Sequence, residues 1–199
     1  MMQAEHPVKH RRWQRFTDIL FMVIAVLFIR TFVVQAYQIP SGSMENTLLV
    51  GDYLIANKFI YGPHIPFTEW KIKGFEPNRG DVIIFRSPTE DRDYIKRCVG
   101  LPGETVEVRN NKVFIDGRFL EEDYANLDGM MPPQANYGPI TVSDGHLFML
   151  GDNRNYSKDS RFWGTLDMNL IRGKAEIIHW SWNADAKRPR LSRLGDRVK

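Results

Sequence analysis

Short runs of alternating hydrophobic and polar positions dominate the chain beyond residue 50. The runs are rich in β-branched and aromatic residues, which favour strands, and they cover residues 52–59, 81–87, 93–100, 146–152 and 175–182. Turn dipeptides separate the runs, and no long amphipathic helical pattern lies between them. Closely spaced strands without intervening helices predict a mainly β fold, an antiparallel barrel or sandwich.

The same alternation continues through residues 104–120, where two turn signals interrupt it. Asn110-Asn111 and Asp116-Gly117 stand where tight hairpin turns are expected. Residues 120–139 are polar, contain two consecutive prolines and predict a long loop.

An apolar segment at residues 16–34 precedes the strands. As a helix its 19 residues would measure roughly 28 Å, close to the ~30 Å hydrocarbon core of a membrane. A buried core helix, a cleavable signal peptide with small residues at Val34 and Ala36, and an uncleaved anchor all fit this length. Arg30 argues against cleavage, because it would lie between the apolar region and the cleavage site. We therefore predict one transmembrane helix at residues 16–35.

Charge is concentrated at the two ends of the chain, although the net charge is only +3. Residues 1–15 carry an excess of three positive charges and residues 187–199 an excess of five, so the middle is acidic. The basic N-terminus predicts that residues 1–15 are cytoplasmic and that the following domain is outside. The distribution argues against a nucleic-acid-binding core and predicts a C-terminal tail in solvent or near anionic lipid.

Two serines directly after the apolar segment are candidate nucleophiles. Ser41 and Ser43 lie in "IPSGSM", and a serine needs a base to remove its proton. None of the five histidines, His6, His10, His64, His146 and His179, lies in a recognisable triad setting.

Lys96 is the alternative base, in the strand pattern "DYIKRCVG". Alternation places it on one face with Tyr94 and the single cysteine, Cys98, which we interpret as a packing residue. A solvated strand lysine is the commoner outcome. A catalytic lysine must instead be desolvated, since an unperturbed one is only about 0.1% neutral near pH 7.4.

The segment "GDNRNYSKDSRFWG", residues 151–164, is dense in short polar side chains. A calcium loop counted from Asp152 needs glutamate at its twelfth position, where this chain has Trp163. The alternative is a structural loop in which Asp159 pairs with Arg161 beside a catalytic centre. No metal or nucleotide motif is present, and we expect neither a metal nor another cofactor.

The order of an apolar N-terminal segment, "IPSGSM", "RGDVIIF", "DYIKRCVGLPGE" and "GDNRNYSKDSRFWG" resembles the bacterial type I signal peptidases. The resemblance implies a Ser–Lys dyad on a mostly β domain, with Ser43 as nucleophile and Lys96 as general base. It also implies that the Ser41 hydroxyl and the Ser43 backbone N–H hold the oxyanion. Ser157 would orient Lys96, and the Asp159–Arg161 pair would support that loop.

Further expectations follow from the same resemblance. The substrates would be signal peptides of preproteins, bound as an extended strand, with small residues at positions −1 and −3. The pocket walls would be Ile39, Met44, Tyr94 and Ile95. The implied location is the bacterial cytoplasmic (inner or plasma) membrane, crossed once, with lipid as a partner and no nucleic acid. The catalytic domain would cover residues 36–186.

One departure from the family's pattern and two rival interpretations complete the picture. Asn46 stands where the family often has proline, which predicts a looser turn after Ser43. A self-cleaving repressor-type protease also uses a Ser–Lys dyad, but it should carry a DNA-binding helix-turn-helix before the dyad. A membrane-anchored non-catalytic β-domain for binding or scaffolding predicts that Ser43 and Lys96 are individually dispensable.

Overall fold

The computed structural model describes residues 8–62, 68, 70, 72 and 74–199, so His6 and His64 lie outside the described residues. Helix α1 (Val8–Phe28) continues into a π-helical turn, Ile29–Val33, which leads directly into a strand. The helix runs through the boundary predicted at residue 16. Within the described part of the chain, no helix has both the length and the apolar character needed to cross a membrane.

The described residues form twelve strands and one further short helix, which confirms the mainly β prediction. The strands are β1 (Val34–Gln38), β2 (Asp52–Asn57), β3 (Val82–Arg86), β4 (Asp93–Gly100), β5 (Thr105–Arg109), β6 (Lys112–Ile115), β7 (Arg118–Phe119), β8 (Tyr137–Thr141), β9 (His146–Leu150), β10 (Leu166–Asp167), β11 (Ile171–Asn183) and β12 (Arg188–Pro189), and the helix is α2 (Ser160–Trp163).

The main sheet is antiparallel and has the order β1-β2-β11-β3-β4-β9-β10, with β12 paired to β11. Strand β11 has 13 residues, and its register shifts twice against β2 and once against β3. Such bulges bend a strand and increase its twist. The sheet accordingly curls into a half-barrel.

A second antiparallel sheet has the order β7-β6-β5-β8. Both predicted hairpin turns are present, because Asn110, Asn111, Asp116 and Gly117 all have positive φ angles between 49° and 77°. The long loop predicted for residues 120–139 is interrupted at its end, because β8 begins inside it and pairs with β5. The hairpins therefore belong to a small four-stranded sheet.

Strand β3 is buried on both faces, which explains its unbroken apolar sequence. Val82 and Ile84 pack in a cluster with Met44, while Ile83 and Phe85 pack in a cluster on the opposite face. A third cluster joins the second sheet to β9. The turn that carries Ser43 is thereby tied to the core of the main sheet.

The C-terminal segment is largely exposed, in agreement with the prediction of a solvated tail, and it is also hydrogen-bonded to β11 and to a buried acid. Backbone N–H groups of Gly195 and Val198 donate to the carbonyls of Ile178 and Glu176 at 2.9 Å. Arg193 Nη2 lies 2.7 Å from Oδ2 of Asp52, whose side chain is fully buried.

Candidate active site

The turn carrying Ser43 is held by its neighbours in the sequence. After β1 the chain forms a 3-10 turn, Gly42–Met44, closed by a hydrogen bond from Glu45 N–H to the Gly42 carbonyl. The next side chain, Met44, is fully buried in the core. The Ser43 carbonyl accepts a hydrogen bond of 3.2 Å from the Asn153 N–H. These contacts fix the position of the Ser43 hydroxyl.

Lys96 lies on β4 and reaches this hydroxyl. Its Nζ is 2.7 Å from Ser43 Oγ and 2.9 Å from the Ile95 carbonyl oxygen, so both hydrogen-bond partners are neutral oxygens. Lys96 is 4% exposed and Ser43 is 7% exposed. The alternative of a solvated lysine is therefore wrong.

Burial lowers the pKa of Lys96 to about 8, because the charged ammonium loses its hydration. Asp159 and Asp152 act in the opposite direction, and Arg92 adds a small lowering. At pH 7 roughly a tenth of the molecules then carry a neutral amine, about three hundred times the fraction for an ordinary lysine. A neutral amine at this distance can accept the serine proton, which is the step that makes a serine nucleophilic.

A cleft of about 310 Å³ opens at this pair, lined by Pro40, Ser41, Ser43, Arg92, Asp93, Tyr94, Ile95, Lys96, Tyr156 and Lys158. Ser41 is exposed, and its hydroxyl does not cap the 3-10 turn that it precedes. Strand β4 pairs with β3 along Asp93–Arg97 but with β9 only from Arg97 onward. Among the described residues, no strand covers the other edge of residues 93–96, so an extended chain could pair there.

The four predicted pocket residues divide into two groups. Tyr94 and Ile95 line the cleft, as expected. Ile39 and Met44 are 2% and 0% exposed. They pack in the core beneath the Ser43 turn and do not line the cleft. This corrects their predicted role, because the apolar side chains flanking the turn anchor it and leave only its polar face to the cleft.

Ser157 lies next to the Ser43 turn across Gly151, where an added Cβ would collide with Ser157 Oγ and with the Ser43 carbonyl oxygen. Its Oγ is buried and has no hydrogen-bond partner in the part of the chain that the structure describes. The predicted hydrogen bond to Lys96 is therefore not formed here, and the orienting role of Ser157 stays a prediction.

The predicted pair of Asp159 and Arg161 is present, and both side chains are fully buried. Asp159 also accepts a hydrogen bond of 3.1 Å from Gly151 N–H, and Arg161 donates to Asn111 Oδ1 at 2.8 Å. The pair thus fixes both ends of the loop that contains Ser157.

Two further buried ion pairs were missed by the sequence analysis. Arg97 makes a bidentate contact with Asp152, at 2.8 and 2.6 Å, and Arg154 pairs with Glu122 at 2.6 Å. Arg97 follows Lys96 in an apolar strand, and a buried guanidinium requires a buried acid. The need for a buried acid could be recognised from the sequence, but Asp152, the acid that pairs with Arg97, is 55 residues away.

Asn46 corrects the expectation of a looser turn after Ser43. Its φ angle is 100°, which proline cannot adopt and which asparagine tolerates better than most residues. Its Nδ2 donates to the Tyr124 carbonyl at 3.1 Å, so the turn is attached to the loop between β7 and β8.

Two of the five histidines, His146 and His179, lie in surroundings other than the catalytic cleft. His146 Nδ1 lies 3.0 Å from the Asp144 carbonyl oxygen. His179 packs edge-on against Tyr53 and lines a larger cavity, of about 820 Å³, where α1 meets β1. That cavity is lined mainly by apolar side chains and Arg30, and neither serine contributes to it.

Comparison with known proteins identifies the class of enzyme. The family model described as "Signal peptidase, peptidase S26" matches residues 12–180. Signal peptidase I of Pseudomonas aeruginosa is 36% identical over 221 residues, covering 90% of this chain and 76% of the relative. Signal peptidase I of Leptolyngbya laminosa is 40% identical over 181 residues, covering 87% and 79%. The chain therefore belongs to the peptidase S26 family of signal peptidases.

A third relative agrees with this assignment. Signal peptidase I of Aquifex aeolicus is 32% identical and covers 88% of this chain and 87% of the relative. A crystal structure of a signal peptidase I from Enterococcus faecalis is 35% identical, covers 50% of this chain and 97% of that chain, and superimposes with a TM-score of 0.44.

Proposed function

We propose that this chain is a membrane-anchored serine endopeptidase that removes N-terminal signal peptides from exported preproteins. Ser43 is the nucleophile and Lys96 the general base. The observation that carries the proposal is the 2.7 Å distance between Lys96 Nζ and Ser43 Oγ at a buried site. The names of the relatives, signal peptidase I, support the substrate class.

The proposed chemistry uses one proton carrier for both halves of the reaction. Neutral Lys96 takes the Ser43 proton while Oγ bonds to the scissile carbonyl carbon. The Ser43 N–H and Ser41 hydroxyl donate to the resulting oxyanion. Collapse of the intermediate breaks the peptide C–N bond, and the Lys96 ammonium returns its proton to the leaving amine. Lys96 then takes a proton from a water whose oxygen attacks the acyl carbon, and it returns that proton to Ser43 Oγ as the ester C–O bond breaks.

Ser157 fits the charged stage of this cycle. An ammonium has three N–H donors, one more than the two hydrogen-bonded contacts that Lys96 makes here. The buried and unpaired Ser157 Oγ is an acceptor for the additional N–H if the side chains close on each other. Asp159 and Arg161 hold the loop that would allow this.

The substrate would add a strand to the free edge of β4 at residues 93–96. Backbone pairing gives affinity without sequence preference, and alternate side chains then contact the cleft walls at Tyr94 and Ile95. Shallow pockets between these walls would admit small side chains at positions −1 and −3.

The exposed apolar surface of α1 supports a membrane anchor, which ends before the predicted residue 35 because Val34 and Gln35 pair with β2. Phe16, Phe21 and Met22 are between 58% and 74% exposed, and an apolar surface of this kind marks contact with a membrane or another partner. Lipid covering this helix would place Ser43, nine residues after β1 begins, near the membrane surface. The basic residues in the first part of α1, before residue 16, favour a cytoplasmic N-terminus and an external catalytic domain.

Cleavage of a preprotein by the full chain in detergent tests the dyad. We expect Ser43→Ala and Lys96→Arg each to lower kcat by about a thousandfold or more, because arginine stays protonated and cannot accept the proton. Lys112→Arg, on the exposed side of β6, is the matched control.

Circular dichroism should show an unchanged fold for all three variants. Near-normal turnover by Lys96→Arg would exclude Lys96 as the base and return attention to His146 and His179. A wild-type protein that binds preproteins without cleaving them would instead support the non-catalytic alternative.

A further inference from the structure

A second cavity lies next to the nucleophile and is not explained by the proposed dyad. It measures about 530 Å³ and its lining includes Gly42, Glu45, Asp128, Asn153 and Tyr156. Tyr156 also lines the catalytic cleft, and Gly42 immediately precedes Ser43, so the two spaces are adjacent. None of the residues lining this cavity belongs to β4. We name it the leaving-side cavity.

The outer wall of the leaving-side cavity is held by hydrogen bonds. Asn126 N–H donates to the Asp152 carbonyl at 2.7 Å, and Arg154 N–H donates to the Asn126 carbonyl at 2.9 Å. Asn155 Nδ2 donates to the carbonyls of Leu127 and Asp128 at 2.7 and 2.9 Å. The wall belongs to a stretch for which the sequence offered no motif, and it is fastened to the loop that follows β9.

The two charged residues that line this cavity are both acids, and its other polar side chains are two amides and a tyrosine hydroxyl. Glu45 and Asp128 are its charged residues, whereas Arg92 and Lys158 line the catalytic cleft. Asn153 is 4% exposed and donates Nδ2 to the Gly42 carbonyl at 3.0 Å. Its Oδ1 makes no hydrogen bond to any group that the structure describes. A ligand that brings N–H donors and positive charge suits this lining.

We propose that the leaving-side cavity binds the first residues of the mature protein and selects a cationic side chain over an acidic one there. This rests on the proposed function. A peptide paired with β4 up to Ser43 must continue past the nucleophile, and an extended chain advances about 3.3 Å per residue. The second residue after the scissile bond then lies about 7 Å beyond it. Glu45 and Asp128 attract a lysine at that position and repel a glutamate.

Paired peptide substrates test the proposal. The peptides share one signal sequence and differ only in Lys, Gln or Glu at the second position after the scissile bond. For the wild-type full chain at low salt we expect kcat/KM for Lys to exceed that for Glu about tenfold, with Gln between them. High salt should reduce the ratio, because it screens exposed charges.

The lining acids should carry this preference. In Glu45→Gln/Asp128→Asn the Lys:Glu ratio should fall to about two, since neutral amides neither attract nor repel the side chain. Asp128→Asn alone, at an exposed residue, should lower the ratio partway. Asp185→Asn, an exposed acid between β11 and β12, removes the same charge elsewhere and should leave the ratio unchanged.

Binding of the released segment gives a second measurement that does not depend on turnover. Peptides that begin at the first mature residue, with Lys or Glu second, are titrated against the Ser43→Ala protein. The Lys peptide should bind severalfold more tightly, and Asp128→Asn should reduce the difference.

A wild-type Lys:Glu ratio near one, or a ratio unchanged in the double variant, would overturn the proposal. Failure of the dyad gives a different result, because Ser43→Ala would then still cleave while the charge preference remained measurable.

Discussion

Two neighbouring residues of β4, Lys96 and Arg97, are both buried cations, and the protein surrounds them in opposite ways. Lys96 contacts neutral oxygens. Arg97 is held by both oxygens of Asp152 and donates to the Gly80 carbonyl. An amine can lose its proton when it is desolvated, whereas a guanidinium cannot. The environment of Lys96, which has no contacting carboxylate, therefore suits proton transfer. The environment of Arg97, which has one, holds that side chain rigidly.

Removing the carboxylate of Asp152, which contacts Arg97, should have the largest effect on stability. We expect Asp152→Asn to lower the free energy of unfolding by about 3–5 kcal/mol, because Arg97 is left buried without its carboxylate. Chemical denaturation of the full chain in detergent measures this. The control Asp185→Asn should change it by less than about 0.5 kcal/mol. A loss below about 1 kcal/mol for Asp152→Asn would contradict the assigned role of the pair.

Replacing Lys96, which contacts no carboxylate, should have the opposite effect and raise the free energy of unfolding. Folding lowers the pKa of Lys96 from 10.5 to about 8, so the unfolded chain binds more protons between these values and stability falls as pH decreases through them. At pH 7 this penalty is fully present, and we expect Lys96→Met to stabilise the fold by about 1–3 kcal/mol.

The pH dependence of that gain is its control. Above pH 10.5 lysine is neutral in both states, so the stabilisation by Lys96→Met should disappear there. Lys112→Met, at an exposed position, should show no such dependence. A destabilised Lys96→Met at pH 7 would mean that the amine stays charged in the folded protein.

The smallest expected effect concerns the pH profile. For the wild type, kcat/KM should rise about tenfold per pH unit below the Lys96 pKa of about 8 and level off above it. Arg92 lowers this pKa by charge repulsion. Arg92→Gln should therefore move the midpoint to higher pH by about 0.3 units. Arg118→Gln, on β7, serves as the control, and a shift to lower pH would contradict the electrostatic explanation.

Local patterns predicted those parts of the fold that local chemistry determines. The bounds of β4 were predicted to the residue, and both asparagine and aspartate turns were found, because strand alternation and positive φ angles leave a signal in adjacent residues. Strands β10 and β12 have two residues each and exist through pairing with distant strands. The attachment of Arg193 to Asp52, 141 residues apart, has no local signal either.

The candidate site likewise contains some features that the sequence could predict and others that depend on distant residues. The family resemblance, carried by the order of the motifs, implied that Ser43 and Lys96 form a pair, and the structure brings their side chains into contact. Alternation could not tell that Ile39 and Met44 face the core, because a residue in a turn has no fixed face. The ion pair of Arg97 and Asp152 was missed because a pairing partner must be known before a charged residue can be placed in the interior.

The position of β11 in the main sheet also determines when the active site can assemble during synthesis of the chain. Strand β11 separates β2, which follows the Ser43 turn, from β3 and β4, which carry Lys96. Residue 171 is made 114 residues after residue 57, which is on the order of ten seconds at ordinary rates of synthesis. Until β11 is made, the strand that pairs with both β2 and β3 is missing, so these two parts of the main sheet are not joined. The nucleophile is thus synthesised early but has its base beside it only after β11 is made, and a ribosome-bound fragment ending before β11 should be inactive.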